Sequence, residues 1–184
     1  MANDAILWRR LDAPGHDACR LEEIEGGWRL DGAAVFRHGG KPASLVYQVA
    51  CDSVWRTREG MVQGWMGTDR IDFRVGRTAD GVWTLNDRIA PHLNGCDDLD
   101  LGFTPATNLT QLRRVALEIG QAADVPVAWL DVSTGTLDLL HQRYERRTRE
   151  GYWYAAPQFD YVALLEVRGD GFVKMYPGLW EAEC

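Results

Sequence analysis

The chain has 184 residues, of which 46% are hydrophobic and 26% charged, and carries a net charge of -7. That length suits one domain with a self-sufficient core, and the acidic balance argues against nucleic acid as a partner. No stretch is apolar for long enough to span a bilayer or to act as an export signal. The expectation is a cytoplasmic protein with no transmembrane segment.

In chain order, Ile6 to Leu11 predicts a short strand closed by Ala13-Pro14-Gly15. His16 to Ile24 predicts a second, broken at Gly26-Gly27, and Trp28 to Phe36 a third before the turn His38 to Pro42. Leu45, Tyr47, Val49 and Cys51 then alternate with polar or small residues, the period of a half-buried strand. Trp55 to Met66 is more polar, and Gly60 and Gly64 mark bends or close backbone approach. Ile71, Phe73 and Val75 alternate with Arg70, Asp72 and Arg74, and Val82 to Leu85 returns after Ala79-Asp80-Gly81.

Beyond Arg114, Val115, Leu117 and Ile119 alternate, while Leu112, Val115, Ile119 and Ala122 fit helical spacing. The short length and turn-rich flanks favour strand there. Val125 to Val132 predicts a strand in which Pro126 implies an edge or a first position. Thr136 to Arg146 reads as extended, Tyr161 to Val167 alternates again, and Gly169-Asp170-Gly171 connects it to Phe172–Tyr176. No long amphipathic helix, repeat or linker interrupts this series. About a dozen short strands predict one all-β domain over residues 1–184. Its mostly antiparallel sheet should be strongly curved or form an incomplete barrel, with one short helix near Asn108. A large barrel leaves interior space for a ligand.

The densest run of turn residues, paired acids and paired arginines is NGCDDLDLGFTPATNLTQLRR, from Asn94 to Arg114. In an extended segment Asp98 and Asp100 share one face. They could pair with Arg113, Arg114 or another nearby arginine, contact a ligand, or with Asp97 form part of a calcium loop, although the calcium-loop order is absent. As two carboxylates they could also support hydrolysis of a glycoside. The four histidines form no metal-binding motif, no serine-nucleophile motif is present, and the four cysteines read as free thiols. Most of the eight tryptophans must be core; Trp65, Tyr144, Tyr152 and Tyr154 are the better candidates for a platform under a sugar or acyl chain. The cluster Arg143, Arg146, Arg147 and Arg149 is a solvated strand end or an anion-binding mouth.

Gly95–Leu101, Thr104-Pro105, Thr107-Asn108 and Leu112–Arg114, with Trp8–Gly15, Gln142–Tyr144 and Tyr176–Trp180, carry a resemblance over nearly the whole chain. The sequence resembles the putative glycolipid-binding family of bacteria, first catalogued as a family of unknown function; Ala106 and Gln111 depart from its pattern. The resemblance implies a glycolipid ligand. The leading expectation is therefore a non-enzymatic binding or carrier protein for an amphipathic small molecule, with no catalytic residue, metal or cofactor. Its candidate ligand contacts are Arg56, Trp65, Asp98, Asp100, Asn108, Arg113, Tyr144 and Tyr152. The alternatives are a carboxylate-dependent enzyme acting on a sugar-containing substrate and an interaction module with no cavity.

Overall fold

Alternating apolar and polar side chains become strands along most of this chain, because such segments bury one face and wet the other. The structure is a computed structural model that describes residues 4–183. Eight strands come first: β1 (Asp4–Arg10), β2 (Gly15–Ile24), β3 (Gly27–His38), β4 (Lys41–Asp52), β5 (Thr57–Met66), β6 (Asp69–Arg77), β7 (Trp83–Leu85) and β8 (Arg88–Ile89). A 3-10 turn at Pro91–Leu93 leads to β9 (Asp98–Leu101) and to one helix, α1 (Asn108–Val115). The chain continues through β10 (Ala122–Asp131), β11 (Thr136–Arg146) and β12 (Gly151–Ala156). After a second 3-10 turn at Pro157–Phe159 it ends in β13 (Tyr161–Val167), β14 (Val173–Tyr176) and β15 (Trp180–Glu183).

All fifteen strands belong to one open sheet, in the order β8-β7-β6-β5-β4-β3-β2-β1-β15-β14-β13-β12-β11-β10-β9. This is the expected all-β, mostly antiparallel architecture, with fifteen strands where about a dozen were anticipated. Two meanders, β1 to β8 and β10 to β15, meet where β15 pairs with β1. Only β9 breaks the antiparallel pattern. It lies parallel to β10, and α1 is the crossover that a parallel pair requires.

Residues 90–97 carry the chain from edge strand β8 to edge strand β9. Those two regions come close in space because the sheet curls. Thr57 N donates to the Asp97 carbonyl at 2.9 Å, and Leu99 N donates to Thr57 Oγ1 at 3.0 Å. One edge thus touches the start of β5, three strands in from the other edge, without a continuous ladder. A Cβ on Gly60 would meet Leu99 Cδ2 at 2.4 Å, so this glycine permits the close approach anticipated for it.

The curl encloses a single core. Trp8, Leu45, Tyr47, Val49, Val125, Val127 and Leu165 face inward from the strands. The turn after β9 and most of α1 fill the centre, since every residue from Phe103 to Leu112 is buried. The interior is therefore occupied by the chain itself rather than left hollow. Cys19, Cys51 and Cys96 are buried free thiols, as expected; the reading of Cys184 falls outside the described residues. Burial first, then the carboxylates of Asp98 and Asp97, push the Cys96 thiol up to about 11.

Two local expectations fail for physical reasons. No strand forms over Val115–Ile119: α1 takes Val115, Ala116 ends it in the left-handed region at φ 44°, and Ile119 is exposed. The helical set Leu112, Val115, Ile119 and Ala122 does not hold past Val115 either: α1 lies earlier, where the core accepts Leu109 and Leu112 together on one helix face, and Ala122 begins β10. Pro126 lies neither at an edge nor at the first position of β10, but pairing with β9 begins only at Val127. Its missing N–H is thus not needed on that side. Among the described residues no helix is long and apolar enough to cross a membrane.

Candidate functional site

The site begins where β9 turns inward. Thr104 N donates to the Leu101 carbonyl at 3.0 Å, and Thr107 Oγ1 accepts from Leu101 N at 3.3 Å. The Thr107 hydroxyl thereby ties the start of α1 to the end of β9 instead of capping the helix. The Thr110 hydroxyl donates back to the Thr107 carbonyl at 2.9 Å. Short polar side chains make the tight turn self-contained, which a buried turn requires.

This turn lays α1 against the acidic face of β9. Asp98 meets Arg114: Nε donates to Oδ1 and Oδ2 at 3.0 and 2.9 Å, and Nη2 donates to Oδ2 at 2.6 Å. Burial pushes the Asp98 carboxyl up, and the Arg114 guanidinium opposes that shift by hydrogen bonding and by charge. Asp97, beside it, is held by Arg77 Nη2 at 2.6 Å, with Arg56 and Arg114 further out. Arginine guanidiniums thus neutralise both acids.

Asp100 differs. It makes no ion pair among the described residues; its Oδ2 accepts from Gln142 Nε2 at 2.8 Å and Gln111 Nε2 at 3.3 Å. Gln111 Oε1 accepts from the Tyr144 hydroxyl at 2.7 Å, and that hydroxyl accepts from Asn108 Nδ2 at 2.7 Å. Burial pushes the Asp100 carboxyl up, against the pull of the two glutamine amides. Among the described residues no buried side-chain oxygen lacks a partner and no donor reaches Asp100 Oδ1, so this oxygen is not sealed, and Asp100 borders the space above.

That space is a cleft of about 380 Å³ at the amino end of α1. Asp100, Asn108 and Gln142 form its floor, and Trp129, Tyr154, Phe159, Tyr161, Tyr176 and Trp180 supply walls. The aromatic rings brace one another: Trp129 and Phe159 meet edge-on at 5.2 Å, and Tyr154 packs on Tyr176 at 5.5 Å. A Cβ on Gly102 would meet Trp129 Nε1 at 2.3 Å, so glycine there lets the indole lie over the turn. An acceptor-rich floor beneath aromatic faces is suited to a sugar, whose hydroxyls donate and whose C–H face rests on rings.

The eight anticipated contacts are dispersed. Asp100 and Asn108 line the cleft. Tyr144 is wholly buried beneath it, holding Asn108 and Gln111. Asp98 is sealed against Arg114. Arg113 and Tyr152 line a second cleft at the carboxyl end of α1. Arg56 sits in the loop before β5, its Nε 3.6 Å from Asp97, and Trp65 lies exposed on β5 opposite Ser44 and Arg70.

Sequence reasoning missed Gln111, Trp129, Gln142, Phe159, Tyr161, Tyr176 and Trp180. One signal was available. Leu140, Gln142 and Tyr144 share a face of β11, so an amide stood in an inward apolar series. The aromatics carried no such mark, because only the curl brings β10 to β15 around one opening.

The chain is a curled, open β-sheet plugged by its own helix, with an aromatic-walled cleft above Asp100. The chain belongs to the family described as "Putative glycolipid-binding", whose sequence profile matches residues 5–182. It is also similar to a solved DUF1089 family protein from Pseudomonas aeruginosa. The two share 24% identity and a TM-score of 0.80, with 91% of each chain covered, a likeness of fold. No curated protein matches.

Proposed function

We propose that the protein binds an amphipathic, sugar-bearing small molecule without chemically altering it. The observation that carries this reading is Asp100, a nearly buried carboxyl that makes no ion pair among the described residues and lines an aromatic-walled cleft. The family description supports a glycolipid as the ligand class. The cleft volume lies at the low end of small-molecule sites, about 300–1,000 Å³, which suits one head group and not a whole lipid. The sugar therefore enters the cleft, and the apolar chain leaves past the exposed Phe159 and the half-buried Leu179. Hydrolysis of a glycoside is less well supported, since Asp100 is the one carboxylate lining this cleft and Asp98 is committed to Arg114.

Titration with alkyl glycosides, followed by tryptophan fluorescence, tests the assignment. Asp100→Asn keeps an oxygen for the two glutamine amides but presents a donor where the cleft had an acceptor. Affinity should fall about tenfold, close to 1.4 kcal/mol, with the melting temperature not reduced. Equal affinity for an alkyl chain lacking sugar, or no effect of Asp100→Asn, would overturn the sugar-in-cleft reading.

A further inference from the structure

The second cleft, of about 390 Å³, lies at the other end of α1, where Leu112, Arg113 and Ala116 line it. A helix of eight residues spans about 12 Å, so this cleft is separate from the one above Asp100. Its distinguishing feature is charge. Arg113, Arg146, Arg149 and Arg168 line it, with Glu150 as the one carboxylate among the lining residues. Of the four arginines only Arg168 makes an ion pair among the described residues, with Asp170. In a chain of net charge -7, three guanidiniums without carboxylate partners in one concavity are an anomaly.

Two of these guanidiniums, those of Arg146 and Arg113, are also held in place by groups that do not cancel their charge. Arg146 donates to the carbonyls of Leu117 at 2.8 Å and Arg149 at 2.9 Å, and lies over the Tyr152 ring at 5.4 Å. Arg113 donates to the Asp170 carbonyl at 2.5 Å and lies over Trp55 at 5.6 Å. Trp55 itself is strained, with φ at 69°, a region that bulky residues avoid. It is held there by a stack on Trp28, with centroids 4.7 Å apart. Carbonyls and aromatic faces orient a guanidinium while leaving its positive charge available to a ligand. The partial negative charge at the carboxyl end of α1 works against an anion, but it amounts to about half a charge against several cations.

We propose that this arginine-lined cleft is a binding site for a tetrahedral oxyanion, a phosphate or sulfate group, independent of the sugar cleft. Arg113, Arg146 and Arg149 supply forked donors to its oxygens, and Trp55 and Tyr152 flank whatever the anion is attached to. The anion can be free or the head group of an amphiphile.

Calorimetric titration with inorganic phosphate, inorganic sulfate and a short-chain alkyl phosphate tests the site. Arg149→Gln and Arg113→Gln should each weaken the best binder about tenfold, and added salt should weaken it further. Melting temperature reports whether Arg113→Gln disturbs the fold; Arg149→Gln removes a side chain with no side-chain bond to the protein. Comparable binding of inorganic phosphate and alkyl phosphate identifies a free anion, whereas much tighter binding of alkyl phosphate identifies an anionic amphiphile. Either result supports the site. Asp100→Asn should leave oxyanion binding unchanged, which separates this proposal from the sugar reading. Absence of binding by all three probes at about 1 mM would overturn it, as would binding insensitive to both arginine variants.

Discussion

Asp17 on β2 is fully buried and faces two hydroxyls instead of a cation. The Tyr47 hydroxyl donates to its oxygens at 2.9 and 3.2 Å, and the Thr104 hydroxyl donates to Oδ2. Burial pushes the carboxyl from 3.8 up to about 7, although both hydroxyls oppose the shift. Between those pH values the folded protein keeps a proton that the unfolded chain has released. Its contribution to stability is therefore complete below about pH 4 and lost as pH rises to about 7, with a ceiling of roughly 4 kcal/mol. Urea unfolding at pH 5 and pH 8 should show wild type losing stability and Asp17→Asn losing much less; parallel losses would refute the assignment. The Asp98–Arg114 pair carries the opposite lesson. Arg114→Met leaves an unpaired carboxylate inside the protein and should cost about 3–5 kcal/mol. Adding Asp98→Asn should recover most of that loss, and failure to recover would mean that Arg114 acts chiefly by packing.

Hairpins are the elements most legible in the sequence, because glycine-rich turns and period-two alternation report local geometry. β2 through β6 follow that rule almost residue by residue. The rule also placed Asp98 and Asp100 on one face of β9, correctly, but it assigned that face no surroundings. All four residues of β9 are buried because α1 covers the acidic face. Nothing local in the sequence says that a helix will lie there. The same distance effect turned Val115 from a strand residue into the last residue of α1. That helix stops at Ala116, which is held left-handed at φ 44°. An alanine in this conformation is strained by roughly 1–2 kcal/mol, and glycine is not. Ala116→Gly should therefore stabilise the protein by about 0.5–1 kcal/mol in chemical denaturation, after allowing for the entropy that glycine loses on folding. A destabilised variant would show that the Cβ, which borders the arginine cleft, contributes more by packing than it costs in strain.

At the scale of the whole molecule, the curl decides which residues become sites, and the sequence is least informative about the curl. Strand count and the need to manage edges anticipate a curved sheet, but they do not say where its ends meet. They meet where residues 90–97 cross from one edge to the other, and the rest of the stretch richest in turns and charges, to Arg114, then forms β9 and sends α1 inward. Filling the centre leaves two clefts at the ends of one helix instead of one hollow. The aromatic walls of the first cleft come from strands distant in sequence, which is why Trp129, Tyr176 and Trp180 could not be grouped beforehand. This arrangement depends on the contact between β5 and β9. Thr57 holds it twice, donating its N–H to the Asp97 carbonyl and accepting from Leu99 N through its hydroxyl. Thr57→Val preserves shape and the main-chain bond but leaves the Leu99 N–H buried without an acceptor. The expected loss is about 1–3 kcal/mol, with faster hydrogen exchange at the Leu99 amide and slow exchange retained along the β3–β4 ladder. If neither stability nor Leu99 exchange changes, the two regions do not meet as described. The position of α1 and both clefts would then need another support.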